Sequence, residues 1–247
     1  MRSTSRFLLA LVLVPLAGVA FRAQSEPNAG TERAATASVE VPAFTHIQLA
    51  GRPPGTVVGG ASAPIHSPVL IGMPLAAGLG LRITATGLVS TRGPVPNVSA
   101  DGDPQVAHVF LGTFGTGGIA GLRVKQGALV GIFLGDRIND NSLPASLNFR
   151  GGATDLPILK PLLQQPFLVG RGETETAGRD RTIVVPSGAT RLYLAVADDD
   201  VADNNGAFTV ESRHRGCAGA AGKPHSGSWH FVSSACRTSS RIHSDHP

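Results

Sequence analysis

The chain is poor in the residues that many folds and binding sites depend on. Among its 247 residues are one Trp, one Tyr, two Cys and two Met, and only 15% are charged. Two cysteines exclude a disulfide scaffold. Scarce Glu and Lys exclude a coiled coil or helical bundle, which needs charged helix formers. A disordered chain is excluded by an apolar content of 42%. What is plentiful is Gly (31) and Pro (18). Many short elements joined by Gly/Pro turns favour a single all-β domain.

Long apolar runs are also scarce, and the one present is N-terminal. Arg2 and Arg6 precede an apolar stretch from Phe7 to Ala20, which ends on the small residues Gly18-Val19-Ala20. Residues 1–20 read as an export signal. The run falls short of the roughly 20 apolar residues of a comfortable span, although an uncleaved anchor is the competing reading. No cysteine follows it, which argues against a lipoprotein. The expected mature chain is secreted or periplasmic, with no membrane span. Residues 21–39 read as a linker, residues 40–212 as the folded domain and residues 213–247 as a disordered, basic, His-containing tail.

The tail region from His214 onward holds five of the eight His, both Cys and the only Trp. Cys217, His225, His230 and Cys236 are a zinc quartet on paper, but their spacing matches no common zinc pattern. A Cys217–Cys236 disulfide is open to an exported chain. An unstructured extension fits the composition best.

The formal charge of +4 suggests a nucleic-acid partner until the charges are located. Between Glu40 and Ser212 stand 12 Lys/Arg and 14 Asp/Glu, so the body is slightly acidic. The basic excess lies at the two ends, and no nucleic-acid partner is expected.

Within the body the hydrophobic period is two. Leu81, Ile83 and Ala85 alternate with Arg82, Thr84 and Thr86, and Leu192, Leu194 and Val196 alternate with Tyr193, Ala195 and Ala197. Phe208 and Val210 alternate with Thr209 and Glu211. Gly127–Leu134 and Arg181–Pro186 are continuously apolar, as strands buried on both faces are. FTHIQLAG near Phe44, SPVLIG near Val69 and QPFLVG near Phe167 add strand candidates, and Leu156–Gln164 is the one expected helical turn. The pattern predicts an antiparallel, jelly-roll-like β-sandwich with flexible extensions at both ends.

Two catalytic signatures fall away on inspection. Gly115-Thr116-Gly117-Gly118-Ile119-Ala120 fits a dinucleotide fingerprint, but a strand-like segment follows where a helix is required. The body has three His, no Cys and no Gly-x-Ser-x-Gly elbow. The chain reads as a non-enzyme.

The informative segment is LYLAVADDDVADNNGAF, where a strand runs directly into Asp198, Asp199 and Asp200, then Asp203, Asn204, Asn205 and Gly206. Four carboxylates within six positions repel one another unless a cation intervenes. Ca²⁺ takes six to eight oxygens from carboxylates, amides and carbonyls. The EF-hand pattern fits in no register. A solvated turn rich in Asp, Asn and Gly explains the same residues without an ion.

In order and content, RITATGLVS, ADGDP (Ala100–Pro104), GALVGIFLGD, QPFLVGRG and VPSGATRLYLAVADDDVADNNGAFTV resemble the calcium-dependent galactose-binding lectins of bacteria. They also resemble related secreted bacterial β-sandwich domains of uncharacterised role. The blocks cover most of Val69–Val210, and the last is the most specific. The resemblance implies a rim Ca²⁺ that holds two sugar hydroxyls. It implies as ligands Asp198, the backbone near Asp200, Asp203, Asn204 and the carbonyl of Thr91, with sugar contacts at Asp198, Asp199 and Asp203. Asp203 stands where the lectins have an amide. Gln105 and His108 match the lectins' remaining sugar contacts only loosely, and Leu111–Gln126 carries extra Gly-rich residues beside the expected site.

With Tyr193 as the body's only Tyr, and no Trp there, binding by aromatic stacking is not expected. The expected function is therefore non-catalytic glycan or galactoside binding through Ca²⁺. Its rivals are an envelope-associated structural sandwich, with a stabilising Ca²⁺ or no ligand, and an accessory domain of a hydrolase. The sequence leaves the oligomeric state open.

Overall fold

The computed structural model describes residues 35–106, 108–111, 117–141, 143–150, 156–170 and 181–214. The chain divides into Met1–Arg33 and Ala34–Pro247, and every described residue belongs to the second unit. The predicted export signal, the linker as far as residue 34 and the tail from residue 215, including Cys217 and Cys236, lie outside the described residues.

The period-two segments form the framework. Strand β1 is Thr36–Pro42, β2 Val57–Val58, β3 Ala61–Ser62, β4 Val69–Leu70 and β5 Gly80–Ser90. They are followed by β6 His108–Leu111, β7 Leu122–Lys125, β8 Leu129–Leu134, β9 Leu147–Asn148 and β10 Ile158–Leu159. The last four are β11 Phe167–Leu168, β12 Thr182–Val184, β13 Arg191–Val196 and β14 Asn205–His214. A five-stranded sheet runs β1-β14-β5-β12-β10, and a four-stranded sheet runs β11-β8-β13-β4. Smaller sheets pair β2 with β3 and join β6-β7-β9. Pairing is antiparallel except for β10–β12 and β7–β9, each parallel over two residue pairs.

The two larger sheets share one core, which makes the fold an all-β sandwich. Leu81, Ile83, Phe208 and Val210 enter that core from the first sheet, and Val130, Ile132, Leu192 and Leu194 from the second. Strand β8 is buried at all six positions, as its unbroken apolar sequence predicts. Phe133 and Phe167 stack within the core at a centroid distance of 5.3 Å. In β14 the buried Phe208, Val210 and Ser212 alternate with the exposed Thr209, Glu211 and Arg213.

Three expectations are corrected. The stretch read as a linker gives its last residues to β1, which begins at Thr36 and pairs with β14 from Arg213 to Ala207. Its Ala37 and Val39 pack against the core despite the low hydrophobicity of the segment. Leu156–Gln164 makes no helix: Pro157 and Pro161 interrupt it, and Ile158–Leu159 instead extends the first sheet. FTHIQLAG makes no strand either. Ile47–Leu49 is a single 3₁₀ turn, capped where the Gln48 backbone N–H donates to His46 Nδ1 at 3.3 Å.

The Gly-rich decoy behaves as its sequence context predicts. Gly117 and Gly118 form a turn, and β7 follows rather than a helix. Among the described residues, no helix is long and apolar enough to cross a membrane.

Candidate functional site

The strand ends bring Asp198 into a crowded corner. Past Val196, the last residue of β13, pairing with the chain before β8 continues for one more residue: the Ala197 N–H donates to the Ala128 carbonyl at 2.9 Å, and the Gly127 N–H to the Ala197 carbonyl at 2.7 Å. Asp198 therefore emerges beside Gln126 and Gly127. On the other side, Asn205 of β14 is opposite Ser90 at the end of β5, so Asn204 and Thr91 are next in line. Gly127 has φ +77°, and a Cβ there would meet Val98 Cγ1 at 2.7 Å and Thr91 Cγ2 at 3.2 Å. Only a glycine lets these segments approach so closely.

Asp198 is 3% exposed. Its Oδ1 accepts hydrogen bonds from Gln126 Nε2 and from the Asp199 N–H, both at 2.9 Å. Its Oδ2 is buried and has no partner. Burial pushes the carboxyl up to about 6, against the opposing effect of hydrogen bonds of which that from Gln126 is the largest. Asn204 donates from Nδ2 to the Ala43 carbonyl at 3.0 Å, while its own Oδ1 is buried without a partner. Two orphaned oxygens thus belong to one seven-residue loop, Asp198–Asn204. Each such group costs about 1–3 kcal/mol when left unpaired.

The loop is anchored rather than splayed. Val201 is buried with Leu49, Ala61 and Ala63 in a small second core. Next to it, the β2–β3 turn packs against the loop backbone: a Cβ at Gly59 would lie 3.0 Å from the Asp199 carbonyl and 3.6 Å from His46 Nε2. His46 is 2% exposed. Burial, and secondarily the charge of His66, hold it down at about 4, so its ring is neutral at ordinary pH.

The remaining expected residues have different surroundings. Asp199, Asp200 and Asp203 are exposed. Asp200 Oδ1 accepts from the Ala202 N–H at 3.1 Å, which is turn chemistry. Thr91 is 6% exposed and lies beside Gly127. Gln105 is exposed on the loop after Asp103, whose Oδ1 accepts from the Gln105 N–H at 2.8 Å. Asp103 is in turn tied to the site, because its N–H donates to the Gln126 carbonyl at 2.8 Å. His108 opens β6 opposite Lys125. Among the described residues, no three His, Cys, Asp or Glu side chains gather to hold an ion. The loop's acids therefore do not form a carboxylate cage; Asp198 is buried and the other three face water.

Sequence reasoning missed Gln126, the neutral side chain that holds Asp198. Its only signal was a polar residue beside a glycine at the turn between two apolar strands. It also missed the Ala43 carbonyl and the anchoring cluster around Val201, which depend on tertiary contacts alone.

No protein-family model and no curated protein match this chain. Among solved structures it is similar to one described as "EclA N-terminal domain; PllA-like lectin", at 16% identity and a TM-score of 0.31, over 74% of this chain and 99% of that one.

Proposed function

We propose that this chain is a secreted, non-catalytic carbohydrate-binding β-sandwich whose Asp198–Asn204 loop takes a Ca²⁺ ion and, with it, the hydroxyls of a galactoside-like sugar. The observation that carries this reading is the pair of buried, unpartnered oxygens, Asp198 Oδ2 and Asn204 Oδ1. A carboxylate oxygen and an amide oxygen are what a hard cation accepts, and backbone carbonyls such as that of Thr91 complete such sites. The donor chemistry therefore fits the ion, although the arrangement is a mixed-oxygen site and not an acid-rich cage. Bound there, Ca²⁺ would supply coordination positions for vicinal hydroxyl oxygens.

The chain's own residues divide the remaining work. Gln126 holds Asp198 in place through Oδ1 and leaves Oδ2 free to face the site. The exposed carboxylates of Asp199 and Asp203 accept hydroxyl hydrogens in charge-assisted bonds. Gln105, tethered through Asp103 to Gln126, presents an amide from the neighbouring loop.

Calorimetry with galactosides, with and without EDTA, tests the reading. Sugar binding that disappears on chelation and returns with Ca²⁺ is the expected result; heat indifferent to EDTA sinks it. A melting temperature that rises with Ca²⁺ while no glycan binds would favour the stabilising-ion alternative, since a ligand of the folded state raises stability by mass action.

A further inference from the structure

The two larger sheets have four edge strands, and three of these, β10, β11 and β4, are only two residues long. Such short edges offer little for a foreign strand to pair with. The fourth, β1, runs for seven residues and pairs with β14 along its whole length. It carries none of the usual protections of an exposed edge. It has no Lys or Arg, and no bulge interrupts its register. Its core-facing positions are Ala37, Val39 and Val41, and its one proline is its last residue.

The alternation of the ladder decides which backbone groups of β1 are spare. The Ala43 N–H donates to the Gly206 carbonyl at 3.0 Å, and the His214 N–H to the Ala35 carbonyl at 3.2 Å. Odd-numbered residues of β1 therefore bond to β14, and the N–H and C=O groups of Thr36, Ser38 and Glu40 point away from the sheet. Among the described residues nothing bonds to them. Pro42 has no N–H, and its carbonyl already accepts from the Thr45 N–H and hydroxyl. The apolar side of the edge is unfinished as well. Ala37 and Val39 are only partly buried against the core, and so is Val69 on β4, the strand of the second sheet that lies against β1.

We propose that β1 pairs with β1 of a second copy of this chain, antiparallel about a two-fold axis at Ser38, so that two five-stranded sheets become one continuous sheet. The strand is complementary to itself in this register. Thr36 pairs with Glu40 of the second copy, Ser38 with Ser38, and Glu40 with Thr36. Each pair exchanges two hydrogen bonds, so every spare N–H and C=O of the three residues is used. A shift along the ladder sets Thr36 against Pro42 in one direction and runs Glu40 beyond the start of the strand in the other. On the apolar face, Ala37 of each copy packs beside Val39 of the other and completes its burial. On the polar face the charges match. Glu40 of the second copy comes next to Thr36, and Arg213 is the following side chain in that row. Two strand spacings are about 9.6 Å, a gap that an arginine and a glutamate close above the small threonine. Among the described residues neither Arg213 nor Glu40 has an ion-pair partner. Glu211 is opposite Ser38, so its two copies are three spacings apart, about 14 Å, and largely screened. One strand pair makes a small interface, so the dimer forms at micromolar rather than nanomolar protein.

The experiment is sedimentation velocity of the purified chain over a dilution series, with EDTA throughout, joined to hydrogen exchange at the same concentrations. A monomer–dimer equilibrium is expected, with the Thr36, Ser38 and Glu40 amides protected in concentrated solution and exchanging freely on dilution. Ser38→Pro should weaken association on the order of tenfold or more, because it removes both Ser38 bonds. It should leave the fold intact, since that N–H makes no bond within its own chain. Glu40→Arg should weaken association about fivefold at low salt, through two symmetric ion pairs, and adding Arg213→Glu should restore it. The proposal is overturned by a monomer mass at submillimolar protein or by a dimer that Ser38→Pro leaves unchanged. Protection of the three amides at every dilution also overturns it, because a segment of the same chain would then cover the edge. So does a charge-swapped double variant that associates no better than Glu40→Arg alone.

Discussion

The acidic loop and the arginine-bearing sheet face handle charge in opposite ways. In the loop, one carboxyl of four is buried, half-satisfied and pushed up to about 6, while Asp199, Asp200 and Asp203 remain in water. On the sheet face, exposed Arg213 of β14 stands directly opposite half-buried Arg82 of β5. The loop therefore stores its unfavourable energy in desolvation, which is large and local. The sheet face stores it in screened repulsion, which is small. Clustering in the sequence singles out the loop as charged, whereas strand register alone brings the two arginines together; burial decides which of these charges the fold is sensitive to.

That contrast predicts where substitutions do damage. Leu49→Ala should have the largest effect, about 3 kcal/mol of stability, as for other buried leucine truncations. Leu49 is 1% exposed and packs in the small core that pins Val201. The loss should be concentrated in the loop, so hydrogen exchange at the Asp199, Ala202 and Asn204 amides should rise more than exchange in β8. Uniform acceleration across both would show that the loop is not a separately anchored unit. Gln126→Leu comes next. It removes the side-chain donor to Asp198 Oδ1 and leaves a buried carboxylate with one fewer hydrogen bond, at a cost of about 2 kcal/mol in thermal or urea unfolding. No change in stability at neutral pH would show that Gln126 does not hold the carboxylate.

How much of this was legible beforehand follows from what each feature depends on. Strands β5, β8, β13 and β14 were readable because one face of each segment, or both faces of β8, must be buried, and the period writes that demand into the residues. The segment holding Thr36–Val39 was unreadable for the same reason: Thr, Ala and Ser are too small and mild to signal an edge strand, and only the β14 register recruits them. FTHIQLAG looked like a strand because short apolar runs are ambiguous, and the His46 cap turns it into a 3₁₀ turn instead. In the candidate site, the concentration of acids marks the loop that carries Asp198. It could not separate Asp198 from its neighbours, because burial comes from Gly127, Thr91 and the β13 terminus converging from distant parts of the chain.

The pH dependence sharpens the contrast further. The folded-state value of Asp198 is raised from 3.8 to about 6, so between those values the folded chain holds a proton that the unfolded chain has released. Taken as the difference between the parent chain and Asp198→Asn in EDTA, which cancels the opposite rise that His46, held down at about 4, gives both, stability should therefore fall as pH rises through that window, by at most about 3 kcal/mol, and level off above it. Asp198→Asn cannot ionise, so its chelated form should lack this decline. Melting curves from pH 4 to pH 8 decide the matter. A parent-minus-variant difference that does not fall across the window would mean that Asp198 is better solvated than its burial implies.

The smallest expected effect lies on the sheet face. Arg213→Thr removes one member of the opposed arginine pair and places a β-branched residue at a position with strand geometry. Relief of cross-strand repulsion should raise stability by about 0.5 kcal/mol at low salt. The gain should shrink as salt is added, because exposed charges are screened over roughly 10 Å at 0.1 M. The Asp198→Asn effect should persist in the same salt, since it arises from desolvation. Equal salt sensitivity in the two variants would erase the distinction between the regions. A salt-independent gain from Arg213→Thr would assign it to strand propensity rather than charge.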